Sequence, residues 1–232
     1  MKIIALSALL VFTVVSITSC GQSLPPQKQA AIAKNFSGGK ENGSLSKYSQ
    51  ATFAAGCFWH EETLFESIKG VKEAVSGYCG GNTRNPSYED IETGTTGHAE
   101  TVNIYYDSAI ISYATLLKVY FDAMEDPTQV NDQGPDRGTQ YRSVIFYRNT
   151  KEKAMAERNI KELNASHKYA APIAATVMPF TKFWNAEDYH QDYINTHTDN
   201  PYVRNVSISG IAKYQAQHAD MIKPGRNFTT GK

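Results

Sequence analysis

Residues Ser49–Tyr78 read "SQATFAAGCFWHEETLFESIKGVKEAVSGY". The β-prone run Ser49–Ala55 predicts a strand. Phe58–Lys69 then places Leu64, Phe65 and Ile68 at helical spacing, and Gly70 stops the helix. Val71–Tyr78 returns to strand character. A strand, a tight Gly-Cys turn, a helix and a second strand make one β-α-β unit, with Cys57 at the joint between the first strand and the helix.

The pattern continues outward from this unit. His98–Tyr106 alternates as a strand, and Ser112–Met124 reads as a helix capped by Ser112. Arg142–Tyr147 and Ile173–Met178 read as strands, Thr150–Ser166 and Ala186–Thr196 as helices, and the chain after Asp199 as loop. Residues 80–97, "GGNTRNPSYEDIETGTTG", and Asp126–Gln140 carry the Gly, Pro, Asn and Asp of long loops. Interspersed strands and helices predict an α+β fold. The expected architecture is a two-layer sandwich, a mixed β-sheet with helices packed on it around a ferredoxin-like core.

The chain has 232 residues, 41% hydrophobic and 11% aromatic, with a formal net charge of zero. Such a composition suits a globular core and offers no basic stripe for nucleic acid. Its first residues stand apart. Lys2 precedes an apolar run from Ile3 to Ile17, too short for a comfortable membrane span and suited to a signal-peptide core. The run ends in Ile17-Thr18-Ser19-Cys20-Gly21, which resembles the lipobox of bacterial lipoproteins. That resemblance implies a signal peptide over residues 1–19, cleavage before Cys20, lipidation of its sulfur and anchorage in a bacterial cell envelope, on its periplasmic side or at the cell surface. Residues 20–47 are polar and rich in Gly, Ser, Pro and Lys. They read as a flexible tether of roughly 30 Å r.m.s. span, with the compact domain over 48–232 and a loop-rich C-terminal tail.

Cys57 is the first candidate for chemistry. A thiol at a helix N-terminus faces unpaired N–H groups and the positive end of the helix dipole, and both favour thiolate. The motifs Gly56-Cys57-Phe58-Trp59, Ser76-Gly77-Tyr78-Cys79-Gly80-Gly81, Asn85-Pro86-Ser87-Tyr88, Thr96-Gly97-His98-Ala99-Glu100, Asp126-Pro127-Thr128, Gly138-Thr139-Gln140-Tyr141-Arg142-Ser143 and Ala186-Glu187-Asp188-Tyr189-His190-Gln191 occur in that order. Over residues 52–201 the chain resembles the A-type peptide methionine sulfoxide reductases. The resemblance implies thiol-dependent reduction of the S epimer of methionine sulfoxide, in proteins or free. It implies Cys57 as nucleophile, Phe58 and Trp59 as the pocket for the S-methyl group, Tyr78, Glu100 and Tyr141 as holders of the sulfoxide oxygen, and Asp136 as an organising group.

A sulfoxide sulfur is a poor electrophile until its oxygen is protonated, so the site needs an acid that keeps its proton near neutrality. With a period of two, Glu100 shares a strand face with His98, Val102, Ile104 and Tyr106, and burial there raises a carboxyl pKa. Attack by Cys57 leaves a sulfenic acid that a second thiol must reduce. Many relatives carry that thiol near position 60 or in a C-terminal tail. Here position 60 is His60, and no cysteine follows Cys79. Cys79 is therefore either the resolving thiol, a bystander beside a Cys57 recycled by an external thioredoxin-like protein or dithiol, or half of a static disulfide with Cys57.

No bound cofactor is expected. His60-Glu61-Glu62 lacks the second histidine of a zinc-protease helix, and no Gly-rich phosphate loop follows a strand. Two other functions stay open on the residues alone: a cysteine hydrolase pairing Cys57 with His98 or His190, and a non-catalytic envelope protein that binds methionine-rich or oxidised partners. The expected partners are oxidised methionine in proteins, a thiol reductant and a membrane; a monomer suits a site that must admit protruding side chains.

Overall fold

The computed structural model describes residues 45–228. The expected signal peptide 1–19, Cys20 and all but the end of the expected tether lie outside the described residues. The first strand β1 (Ser49–Ala54) leads through Gly56-Cys57 into α1 (Phe58–Ser67), which returns to β2 (Val71–Cys79). A short helix α2 (Tyr88–Glu92) precedes β3 (Ala99–Tyr106), α3 (Tyr113–Ala123), the two-residue strands β4 (Asp132–Gln133) and β5 (Asp136–Arg137), and β6 (Val144–Tyr147). The chain continues through α4 (Thr150–Ala165), β7 (Thr176–Pro179), β8 (Phe183–Asn185), α5 (Tyr193–Thr196) and α6 (Ser209–Gln217).

The main sheet runs β7-β6-β1-β3-β2-β8. Strand β3 lies between β1 and β2 and is antiparallel to both, so the β1-α1-β2 unit is split by an inserted strand. Among the described residues, only β6 and β7 pair in parallel within this sheet. The mixed sheet with helices packed on it is the expected α+β layering, and β6-β1-β3-β2 forms its ferredoxin-like centre.

Alternation sorts the side chains by face. Ala51, Phe53, Ala74, Tyr78, Val102 and Ile104 join the large core beneath α1 and α3. Ala54, Cys79, Ala99, Val144 and Phe146 form a smaller cluster, closed by Met178, Phe180 and Phe183. Beside it Arg148 donates to Thr52 Oγ1 at 2.7 Å and Asn103 Oδ1 at 2.8 Å, which satisfies polar side chains on that face of β1 and β3. Both faces of β3 are therefore covered.

Besides the short β4–β5 pair inside the predicted loop Asp126–Gln140 and β8, where no element was predicted, the structure departs from the sequence reading in three places. Residues 80–97 hold α2, because Ser87 accepts from Asp90 N–H while the Asp90 carboxylate accepts from Ser87 N–H in a capping box. Ala186–Thr196 is not one helix: a 3-10 turn at Asp188–His190 and the short α5 are separated at Asp192, whose left-handed φ of 54° breaks the run. The stretch after Asp199 is helical: a π-helical run Val203–Ile208 passes into α6, burying Val203, Ile211 and Tyr214 against the core.

Candidate active site

Gly56 makes the turn that presents Cys57. Its φ is +88°, and an added Cβ would lie 2.7 Å from Gln133 Cβ, so a side chain would be strained in both backbone and space. Cys57 follows as the N-cap of α1, buried. It occupies the helix end where N–H groups lack intrahelical acceptors.

One of those groups, the Phe58 N–H, donates to Glu100 Oε2 at 3.0 Å. The Glu100 carboxyl thus lies one peptide unit from the nucleophile candidate. Glu100 sits on β3 opposite Tyr78 of β2 and is 1% exposed. Burial drives its pKa well above the usual carboxylate value; the Phe58 N–H opposes this, and the charges of Glu92 and Asp136 add to the rise. Its second oxygen, Oε1, is buried without a hydrogen-bond partner. The group is a carboxyl biased toward its protonated form, with one oxygen held by the helix and one uncommitted.

Aromatic rings wall the recess beside it. The Phe58 ring lies 5.8 Å from Tyr78 and 5.0 Å from His190. Trp59 stacks on Tyr193 at 3.7 Å, and its Nε1–H donates to His190 Nδ1 at 3.0 Å. Since Nδ1 of this buried imidazole accepts, the proton of the neutral ring sits on Nε2. Burial lowers the His190 pKa to about 3. His98 is also committed, with Nδ1 accepting from Gly81 N–H at 3.1 Å and Nε2 facing the Thr83 carbonyl at 2.8 Å. Neither imidazole is set to take a proton from a thiol, as a cysteine hydrolase requires.

The strap from Ala186 to Asp192 fastens this wall. Glu187 accepts the Tyr78 hydroxyl at 2.9 Å and the Tyr88 N–H at 2.8 Å. Gln191 bonds both the N–H and the carbonyl of Ser76, at 3.0 and 3.1 Å. Asp192 N–H donates to Glu62 of α1 at 3.2 Å.

The remaining candidates gather on the other side of Glu100. Tyr141 is fully buried, and its hydroxyl reaches Glu92 Oε1 at 3.4 Å. Glu92 also bonds the side chains of Gln140 and Tyr88, while partial burial raises its pKa. Asp136 accepts the Tyr202 hydroxyl at 2.6 Å, and its pKa is pushed up to about 6, first by burial.

Cys57, Phe58, Trp59, Glu100, Tyr141 and Asp136 are thus assembled in one region. Tyr78 lines the recess with its ring, but its hydroxyl proton is directed to Glu187 rather than to open space. Cys79 is not brought to Cys57: next to Tyr78 on β2, it points to the opposite face and joins the smaller cluster. Burial pushes its thiol up to about 12, and no disulfide joins Cys57 and Cys79. The sequence reading passed over Tyr88, Glu92 and Glu187. Tyr88 stood within the Asn85–Tyr88 motif, and the Ser87–Asp90 capping spacing signals a helix that turns it inward.

Residues 49–222 match the sequence profile of the family described as peptide methionine sulfoxide reductase. The chain belongs to this family. The reductase is 43% identical to the peptide methionine sulfoxide reductase MsrA of Saccharolobus solfataricus over 173 residues, covering 75% of this chain and 96% of that protein. It is 43% identical over 174 residues to the MsrA of Thermus thermophilus, covering 75% of this chain and 97% of the relative. Among solved structures it is similar to reduced Mxr1 of Saccharomyces cerevisiae, at 30% identity and a TM-score of 0.61, covering 67% of this chain and 88% of that one. It is also similar to the methionine sulfoxide reductase A of Corynebacterium diphtheriae, at 31% identity and a TM-score of 0.57, covering 64% of this chain and 74% of that one. The reductase is therefore an oxidoreductase that reduces methionine sulfoxide in peptides. Its matched span coincides with the folded unit: it begins at β1 and ends at Ile222, whose backbone bridges to Ile68 just beyond α1.

Proposed function

We propose that this reductase acts on the S epimer of methionine sulfoxide through Cys57, by way of a sulfenic acid. The observation that carries the reading is the hydrogen bond from Phe58 N–H to the buried Glu100 carboxyl, which ties a proton donor to the end of α1 that bears the thiol. The S-methyl group enters the recess of Phe58 and Trp59. Thiolate Sγ attacks the sulfoxide sulfur while Glu100 Oε1–H protonates the oxygen. The oxygen passes to Cys57 and methionine leaves, so that thiol and sulfoxide become sulfenic acid and thioether. The hydroxyls of Tyr88 and Tyr141, which share Glu92, are better disposed to hold the oxygen than Tyr78, whose hydroxyl donates to Glu187.

Two thiol equivalents from outside the chain then return Cys57 to its thiol and release water and a disulfide. The position of Cys79 on the far face favours direct recycling by a small dithiol or a thioredoxin-like protein over an internal disulfide. The apolar run and Cys20 of the sequence support a lipid-anchored repair role in the cell envelope. The test is Cys57→Ser, expected to abolish methionine formation from an S-sulfoxide peptide while the circular dichroism of the fold is retained. Full activity in that variant would remove the mechanism.

A further inference from the structure

A cavity of about 550 Å³ borders Cys57. Cys57, Glu61, Asp136, Tyr202, Val206 and Lys213 are among its walls, whereas Phe58, Trp59 and Glu100 are not. The size is that of a small-molecule site. Cys57 and Asp136 thus border this cavity, while the aromatic rings assigned above to the S-methyl group do not.

Glu61 is the group in this wall that the fold does not explain. It follows Cys57 by four residues, so the two share a helix face, and helical side chains lean back toward the N-terminus. Glu61 N–H closes the first turn on the Cys57 carbonyl at 3.4 Å, and both residues line the same cavity. Glu61 is 3% exposed, and its Oε2 is buried without a hydrogen-bond partner. A buried, unpartnered carboxyl is unfavourable and suggests use. The contrast with Glu62 is direct, since the next carboxyl along accepts from Ser76 Oγ and Asp192 N–H at 2.9 and 3.2 Å.

We propose that this cavity admits a small uncharged or cationic thiol to the oxidised Cys57, and that Glu61 is the acid–base group of that recycling step. The proposal rests on the sulfenic acid reading above. The incoming thiol sulfur bonds to Cys57 Sγ and the Sγ–O bond breaks. Glu61 gives its proton to the departing oxygen and receives the thiol proton, so sulfenic acid and thiol become a mixed disulfide and water. A second thiol attacks the mixed disulfide, oxidising the reductant to its disulfide and releasing reduced Cys57. Burial places the Glu61 pKa at about 8, a value from which a carboxyl can both give and take a proton near neutrality. The charged and titratable groups facing it are Cys57 and His60 at α1, Asp122 and Tyr120 on α3, Glu125, Asp136 on β5, Tyr202, and Lys213 and Tyr214 on α6. The excess of acids over bases disfavours an anionic thiol.

The test separates the two half-reactions. The enzyme is oxidised by one turnover without thiol, then mixed with dithiothreitol, cysteamine or 2-mercaptoethanesulfonate, and disappearance of the sulfenic acid is followed with pH. In Glu61→Gln the first half-reaction should release one methionine per enzyme, as in the native protein. Its recycling by dithiothreitol should fall at least tenfold, with the native pH dependence flattened. The native enzyme should use cysteamine at least tenfold faster than the sulfonate at equal thiolate concentration. Val206→Trp, which fills the cavity from the opposite wall, should slow recycling in the same way and guards against a folding defect in the first variant. Native-like recycling with an unchanged pH profile in both variants overturns the proposal. Absence of any sulfenic acid in the native enzyme instead overturns the reading on which it rests.

Discussion

Replacing Glu100 by Gln isolates the proton from everything else the side chain does. The amide oxygen of Gln can keep the acceptor position that Glu100 Oε2 holds at 3.0 Å from Phe58 N. Volume and burial are nearly unchanged, and Glu100 is already biased toward an uncharged form, so the substitution removes no ion pair. What disappears is the ability to protonate the sulfoxide oxygen. General acid catalysis contributes about 10²–10⁴-fold, so kcat for an S-sulfoxide peptide should fall by that factor, about 3–5 kcal/mol in the barrier. Glu100→Ala differs in one decisive respect: it also strips the Phe58 N–H of its acceptor inside the protein, a loss of about 1–3 kcal/mol of stability. Urea unfolding should therefore separate the variants, with Gln near native and Ala clearly weaker, while single-turnover methionine release should be slow in both. A Gln variant within threefold of the native rate at neutral pH would refute Glu100 as the proton donor.

Further consequences follow from the contacts around the site. Trp59→Phe removes the hydrogen bond to His190 Nδ1 and reduces the stack on Tyr193; the expected loss is about 2–4 kcal/mol in urea unfolding, with a higher KM from a loosened methyl pocket. Glu187→Ala leaves the buried Tyr78 hydroxyl without its acceptor and should cost about 1–3 kcal/mol, with the strap 186–192 gaining hydrogen exchange before the sheet does. Stability should also depend on pH. Burial raises the pKa values of Glu61, Glu62 and Glu66 to about 8, 9 and 7. The folded state holds these protons more tightly than the unfolded one, so their favourable term is complete below the unfolded carboxylate pKa and is lost as pH rises through 7 to 9. His60 and His190, lowered to about 4 and 3, act oppositely and weaken the fold as pH drops below the ordinary histidine value. The urea midpoint should fall on going from pH 6.5 to pH 9; a midpoint that rises over that window contradicts the assignment of three buried acids on α1.

The elements legible in the sequence are those with local causes. The β1-α1-β2 unit and β3 have regular apolar spacing, and Ser112 caps α3 as its side chain predicts, accepting from Thr115 N–H. The Gly-Cys turn was also readable, since glycine supplies the positive φ. Elements held by distant partners were not. The strap 186–192 is shaped by bonds to Tyr78, Tyr88, Ser76 and Glu62, all far away in sequence. The helical run after Asp199 opens with β-branched, Ser and Gly residues of modest helix propensity, and it is held by distant partners: burial of Val203, Ile211 and Tyr214 and the Tyr202–Asp136 bond. The same limit applies to the site. Cys57 and Glu100 announce themselves by position on their elements, whereas choosing among Tyr78, Tyr88 and Tyr141 depends on where each hydroxyl finds its acceptor. Cys79 illustrates the converse: its neighbour Tyr78 lines the recess, and for that reason the pleat turns Cys79 away.

The most direct measurement is the intact mass of the native protein after one equivalent of S-sulfoxide peptide in the absence of any thiol, with peptide mapping of the product. The account predicts one methionine released per enzyme and a mass increase of one oxygen atom on Cys57. A protein of unchanged mass, or one that has lost two hydrogens through a Cys57–Cys79 bond, would contradict it.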